Sequence, residues 1–346
     1  MLRRIAIVCT IIPVLAAVVT GCSAGTTAEG ATVTVYSSRH YAADQALYSA
    51  FTEQTGIRVI EKKGTSQELM SQLSKEDEAH SADVLITVDV AALAQAKHED
   101  LLQPILSEKM EAHVPAQWRD PDGTWVGVAA RARVIVYAKD RVDGNLLASY
   151  DDLADEEWYG RLLMRSSGNQ YNLSLLASLI DQRGEAAARH WVEGIAHNLA
   201  TDPQGGDREQ ALQLAKGTGD VSVMNTYYIG QMLASDNWEE RQAAGQLGMV
   251  FPNAEHGGTH INLSGIGLLR EAPNPSAAIQ LIEFLTSQEA QTALSGSTYE
   301  YPVHPQAAVP EVLQQWGEPE PQAIDYNRLD ERQSRAVELV SNTDWQ

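Results

Sequence analysis

Hydrophobic positions change period along the chain, and the changes predict its elements. Thr32-Val33-Thr34-Val35-Tyr36 alternates as a strand, and residues 41–55 follow at helical spacing, with Leu47 and Phe51 inward and a stop at Gly56. Residues 57–60 predict a second strand, 67–73 a short helix and 83–88 a third strand. That third strand is so continuously apolar that both faces of its sheet must be covered. A helix over 91–97 completes the alternation, which predicts an α/β fold with right-handed crossovers. Strands at 125–128 and 133–137 mark where the chain is expected to change domain. Beyond them come a strand at 162–164, helices at 172–180, 185–199 and 207–216, and strands at 221–224 and 248–251. Residues 261–269 read as a return to the first domain, followed by helices at 275–285 and 288–294. A proline-rich surface connection, 303–321, and a closing helix, 330–340, finish the chain.

The start of the chain follows different rules. Arg3 and Arg4 precede an apolar run over 5–19 that exits through Thr20-Gly21-Cys22. This is the pattern of an export signal, and its ending resembles a bacterial lipobox in which Cys22 becomes the lipidated first residue. The run is shorter than the roughly 20 residues a bilayer-spanning helix needs, and no later stretch is long and apolar enough to span a membrane. Residues 23–30, rich in small and polar side chains, read as a tether. The only other cysteine, Cys9, lies within the signal, so the mature chain has no disulfide framework and no thiolate metal site. The expected location is extracytoplasmic, in the periplasm or on the outer face of the cell membrane, with anchoring at Cys22.

Charge narrows the function. With 46 acidic against 25 basic side chains in 346 residues, the formal charge is −21, and the basic stripe that nucleic acid requires is missing. Signatures of a nucleophile elbow, a Walker loop and a His-Glu-x-x-His helix are absent from the sequence, and Gly265-Ile266-Gly267 lacks the third glycine of a dinucleotide loop. His256 and His260 are spaced for zinc on a helix, but Gly257 and Gly258 between them argue against that helix.

The tyrosines are more informative. His40-Tyr41 falls where the first strand turns into a helix, Tyr227-Tyr228 falls in the corresponding place after the strand 221–224, and Tyr171 sits near a helix start after the strand 162–164. Open α/β sheets bind ligands beyond the carboxyl ends of their strands. Taken singly, each ring is an ordinary amphipathic aromatic. Together they place phenols and one imidazole where a ligand would lie. Phenolate oxygen is a hard anionic donor suited to a hard trivalent cation, whereas softer or divalent metals call for Cys, Met, several His or carboxylates.

The segments Tyr36-Ser37-Ser38-Arg39-His40-Tyr41, Ser81-Ala82-Asp83-Val84, Arg131-Ala132-Arg133-Val134-Ile135, Arg165-Ser166-Ser167 and Asn225-Thr226-Tyr227-Tyr228 resemble the ferric-iron substrate-binding proteins of ABC importers. Gly258-Thr259-His260-Ile261-Asn262 and Ser264-Gly265-Ile266-Gly267 extend the resemblance over roughly 33–303. It implies a two-lobed periplasmic-binding-protein fold of the second class, mixed sheets flanked by helices with a hinge between lobes. It further implies one Fe³⁺ carried as cargo, no catalysis, a monomer, and permease and ATPase subunits as partners. Carried over position by position, His40, Tyr41, Tyr171, Tyr227 and Tyr228 are the implied ligands, with Arg39, Arg133 and Arg165 around them as charge partners. A second branch of that family uses a glutamate after the third strand. Here the position is Val88, next to Asp89, which favours a shell filled by protein side chains. Some relatives carry an arginine where this chain has Gln231.

The implied lobes are 32–130 with 256–302, and 131–255 with 303–346, after a signal at 1–21 and a tether at 22–31. Two other readings stand beside this one. A binding protein for an anion or small organic solute would use Ser37, Ser38, Arg39, Ser166 and Ser167 as contacts. A metal-dependent extracytoplasmic hydrolase would use His256 and His260.

Overall fold

The computed structural model describes residues 30–75, 81–252, 255, 257–341 and 343–345; the signal, Cys22, His80 and His256 lie outside the described residues. The first sheet begins with three parallel strands, β1 (Thr32–Ser37), β2 (Arg58–Lys63) and β3 (Val84–Thr87). They are joined by α1 (Ala42–Thr55) and α2 (Ser66–Leu73). Gly56 ends α1 in the left-handed region, φ 74°, which glycine adopts without steric cost. After β3 come α3 (Ala91–His98), the short β4 (Leu102–Gln103) and α4 (Glu108–His113).

The next strand, β5 (Trp125–Ala138), joins the two halves of the molecule. The sequence predicts two strands here, because Ala129-Ala130-Arg131-Ala132 lacks bulky alternation. The structure has one strand of 14 residues, buried at every position except Tyr137. Its first half pairs antiparallel with β9 (Ile261–Leu269), which also pairs with β3 and β4. Its second half pairs with β7 (Val221–Asn225) and β8 (Leu247–Val250), while β6 (Leu162–Leu163) adds parallel to β7. The main path is β2-β1-β3-β9-β5-β7-β6, with β4 beside β9 and β8 beside β5 off it, so that β5 threads both sheets.

Around the second sheet lie α5 (Gln170–Arg183), α6 (Glu185–Asn198), α7 (Asp207–Lys216), α8 (Thr226–Leu233) and α9 (Trp238–Gln246). After β9 the chain covers the first sheet with α10 (Pro275–Leu285) and α11 (Gln288–Thr298). The proline-rich connection contains a helix the sequence does not predict, α12 (Glu311–Trp316), and α13 (Leu329–Val340) closes against α5. One core gathers Val33, Phe51, Leu85, Leu93, Ile266 and Leu281 about the first sheet. A second gathers Trp158, Leu175, Trp191, Val223 and Trp345 about the other. The architecture is therefore a two-lobed α/β fold, with the seam where β5 and β9 cross. Among the described residues no helix is long and apolar enough to cross a membrane.

Candidate metal centre

Strand ends set the geometry. β1 stops at Ser37, the Arg39 amide turns back to donate to Ser37 Oγ at 3.1 Å, and Tyr41 caps α1 with extended backbone, φ −83° and ψ 140°. His40 and Tyr41 therefore face the seam from the first lobe. In the second lobe Asn225 ends β7 and caps α8 in nearly the same conformation, φ −79° and ψ 140°, placing Tyr227 and Tyr228 in its first turn. Tyr171 is the second residue of α5, whose cap Asn169 accepts the Tyr171 amide at 3.1 Å.

The five residues converge. The His40 ring stacks on Tyr41 at 5.1 Å between centroids, Tyr41 meets Tyr227 edge-on at 6.1 Å, and Tyr227 and Tyr228 lie 4.1 Å apart. Tyr171 interacts electrostatically with all three of the other phenols. Tyr41 and Tyr227 come from opposite lobes, so the cleft is closed on itself at this point.

Burial dominates the electrostatics. Desolvation of a phenolate pushes the Tyr41 hydroxyl far above its ordinary range, and the charge of Glu300 pushes the same way. Tyr227 is likewise raised, by burial and then by the neighbouring phenols; Tyr228 is raised by burial and then by Asp207. The Tyr41 oxygen is buried and has no hydrogen-bond partner among the described residues. Neutral phenols packed around an unmatched oxygen form a site that becomes anionic only when a cation displaces their protons.

The cationic frame is broader than the sequence indicates. Arg39 is buried with its guanidinium 4.7 Å from the Tyr41 ring centroid, and it pairs with Asp44 at 3.2 Å and Glu300 at 3.0 Å. Arg133 pairs with Asp207 at 3.1 Å and lies 5.9 Å from the Tyr171 ring. Arg165 reaches the same Asp207 at 3.5 Å and stands beside Tyr228. Sequence reasoning missed Arg131, 5.6 Å from the Tyr171 ring and bonded to Ser264 at 2.6 Å. It also missed Glu300 and Asp207, the carboxylates that tie these arginines together. Burial opposes the Glu300 charge, yet Arg39 and Arg131 prevail and hold its carboxyl below the ordinary value.

Other candidates lie elsewhere. Asp89, beside the Val88 position, is fully buried in the seam, bonded to Asn262 and to the Ala91 amide at 2.8 Å. Gln231 bridges Arg208 and the Thr298 carbonyl. His260 is fully buried, with Nε2 3.1 Å from Ser174 Oγ and Nδ1 3.1 Å from Gln322 Oε1, so both ring nitrogens are engaged. Burial, with Arg133 adding to it, depresses His260 to about 3. The hydroxyls of Ser37 and Ser38 accept bonds from the Arg39 and Val88 amides and so hold the local turns.

Known proteins share this fold. The family described as bacterial extracellular solute-binding protein matches residues 79–331. Iron uptake protein A1 of Synechocystis sp. is 39% identical over 322 residues, 93% of this chain and 89% of that protein. A Trichodesmium structure in complex with iron and citrate ligands superposes with a TM-score of 0.84 at 38% identity, covering 91% of this chain and 100% of that one. A ferric binding protein from Campylobacter jejuni superposes with a TM-score of 0.83 at 38% identity, covering 89% and 98%.

Proposed function

This chain belongs to the bacterial extracellular solute-binding protein family, and from that premise we propose that it binds ferric iron outside the cytoplasm and delivers it to an ABC importer. The observation that carries this reading is the meeting of Tyr41, Tyr171, Tyr227 and Tyr228 across the seam, with burial keeping Tyr41, Tyr227 and Tyr228 protonated until a cation arrives. His40, Tyr41, Tyr171, Tyr227 and Tyr228 hold the cargo. Four phenolates around a trivalent ion leave one negative charge in excess, and Arg39, Arg131, Arg133 and Arg165 surround it. Ligands from both lobes make the metal stabilise the closed form, since it binds that form better than the open one. The permease and ATPase read closure as the loaded state, and release follows opening, phenol reprotonation or iron reduction.

On this reading the protein is a monomer without catalysis, its lobes are 32–130 with 256–302 and 131–255 with 303–346, and Cys22 anchors it to the membrane. Cys22→Ala should then move the protein into the soluble extracytoplasmic fraction with metal binding intact; equal membrane retention would place the anchor elsewhere. For the site, titration with ferric citrate should develop a visible charge-transfer band from phenolate to iron. Tyr227→Phe and Tyr228→Phe should each weaken that band and the affinity. Tyr48→Phe, buried on the core side of α1, should leave both unchanged. Retention of full colour and affinity by both site variants would refute the phenolate shell.

A further inference from the structure

We infer that Gln231 is a positioning residue that latches the lobes over the cargo, an inference that rests on the ferric-iron reading. Gln231 lies one turn beyond Tyr227 and Tyr228 on α8, in the second lobe. Its Nε2 donates to the Thr298 carbonyl at 2.9 Å, at the end of α11 in the first lobe. Its Oε1 accepts from Arg208 Nη2 at 2.6 Å, and Arg208 is itself paired with Glu240 at 3.3 Å. A guanidinium can only donate, so the amide is fixed with its oxygen toward Arg208 and its NH₂ toward Thr298.

The neighbouring residues allow the approach. A Cβ at Gly230 would come within 2.9 Å of Tyr299 Cβ, so only hydrogen fits there. Tyr299 itself is held at φ 62°, a left-handed conformation uncommon for a residue with a side chain. Next in the chain, Glu300 holds Arg39 at 3.0 Å, and Arg39 directly precedes His40 and Tyr41. One short segment, 298–300, thus touches the helix carrying two phenols and braces the turn carrying the third. A bond formed on closure slows opening, and therefore release, while leaving capture by the open form unchanged.

Gln231→Glu separates the two roles of the amide. A carboxylate still accepts from Arg208 but cannot donate to the Thr298 carbonyl. With the full-length mature protein loaded with iron, release is followed as decay of the visible band under excess chelator. One net hydrogen bond corresponds to release faster by about threefold to tenfold. The association rate and the band maximum should match wild type. Gly230→Ala, which obstructs the same approach without touching the amide, should also speed release. Unchanged release in both variants overturns the latch. So does a shifted band, which would signal a ligand defect, or a lowered iron-free melting temperature with unchanged release, which would signal local packing. A wild-type protein that forms no coloured ferric complex would contradict the iron reading instead.

Discussion

Tyr41→Phe should move stability and affinity in opposite directions. The ring is held by Arg39 at 4.7 Å, His40 at 5.1 Å and Tyr227 at 6.1 Å, contacts that phenylalanine keeps. Only the oxygen is removed, and that oxygen is buried without a partner. A buried hydroxyl left unsatisfied costs about 1–3 kcal/mol, so the iron-free variant should gain about 1 kcal/mol and melt about 1–2 °C higher in a chain of this size. The same change removes an anionic donor from the cargo, so iron binding should weaken. Scanning calorimetry of the iron-free protein, paired with visible titration, reads both quantities. Tyr150→Phe gives the contrast, because that hydroxyl donates to the Arg133 carbonyl at 2.6 Å and accepts the His260 amide at 3.0 Å; its loss should lower the melting temperature. A lower iron-free melting temperature for Tyr41→Phe would mean the oxygen is satisfied before iron arrives. Undiminished affinity would remove Tyr41 from the shell.

Because burial raises the Tyr41, Tyr227 and Tyr228 hydroxyls, iron must expel their protons. The logarithm of affinity should therefore climb with pH at a slope approaching about four if all four phenols ionise, as titrations near neutral pH would measure; a flat profile refutes ligation by phenolates. His260, depressed to about 3, binds its proton more weakly folded than unfolded, where the value is near 6.5. Its contribution is thus present above about pH 6.5 and lost on acidification toward 3, on the order of 5 kcal/mol. His260→Gln should flatten that acid dependence in urea unfolding even if it lowers stability at neutral pH. Asp207→Asn removes the charge facing buried Arg133, and should destabilise the fold by about 3 kcal/mol in the same assay.

The sequence made the residues beside strand ends legible, because a strand followed by a helix fixes where its connecting turn points. His40, Tyr41, Tyr171, Tyr227 and Tyr228 were visible for that reason, and the resemblance supplied the roles proposed for them. Glu300 was not visible. An acid in a polar turn resembles solvated surface, and only the fold brings it to Arg39, 261 positions earlier. Asp207 begins a helix, an ordinary place for aspartate, and nothing local reveals that Arg133 and Arg165 share it. The join between two predicted strands in β5 was hidden by its small residues, which pack on both faces without showing alternation.

The strand β9 has a consequence for timing. It sits between β3 and β5 in the first sheet, pairing Val84 with Leu268 and Ala132 with Ile261, so the middle of that sheet is among the last parts of the chain to be made. Pairings between such distant segments form slowly. A chain emerging from the ribosome therefore lacks a complete first lobe for most of its synthesis, and Tyr41 has no rigid frame until residues beyond 260 arrive. A chain held unfolded while it crosses a membrane would therefore assemble the proposed metal site only once β9 has emerged on the far side.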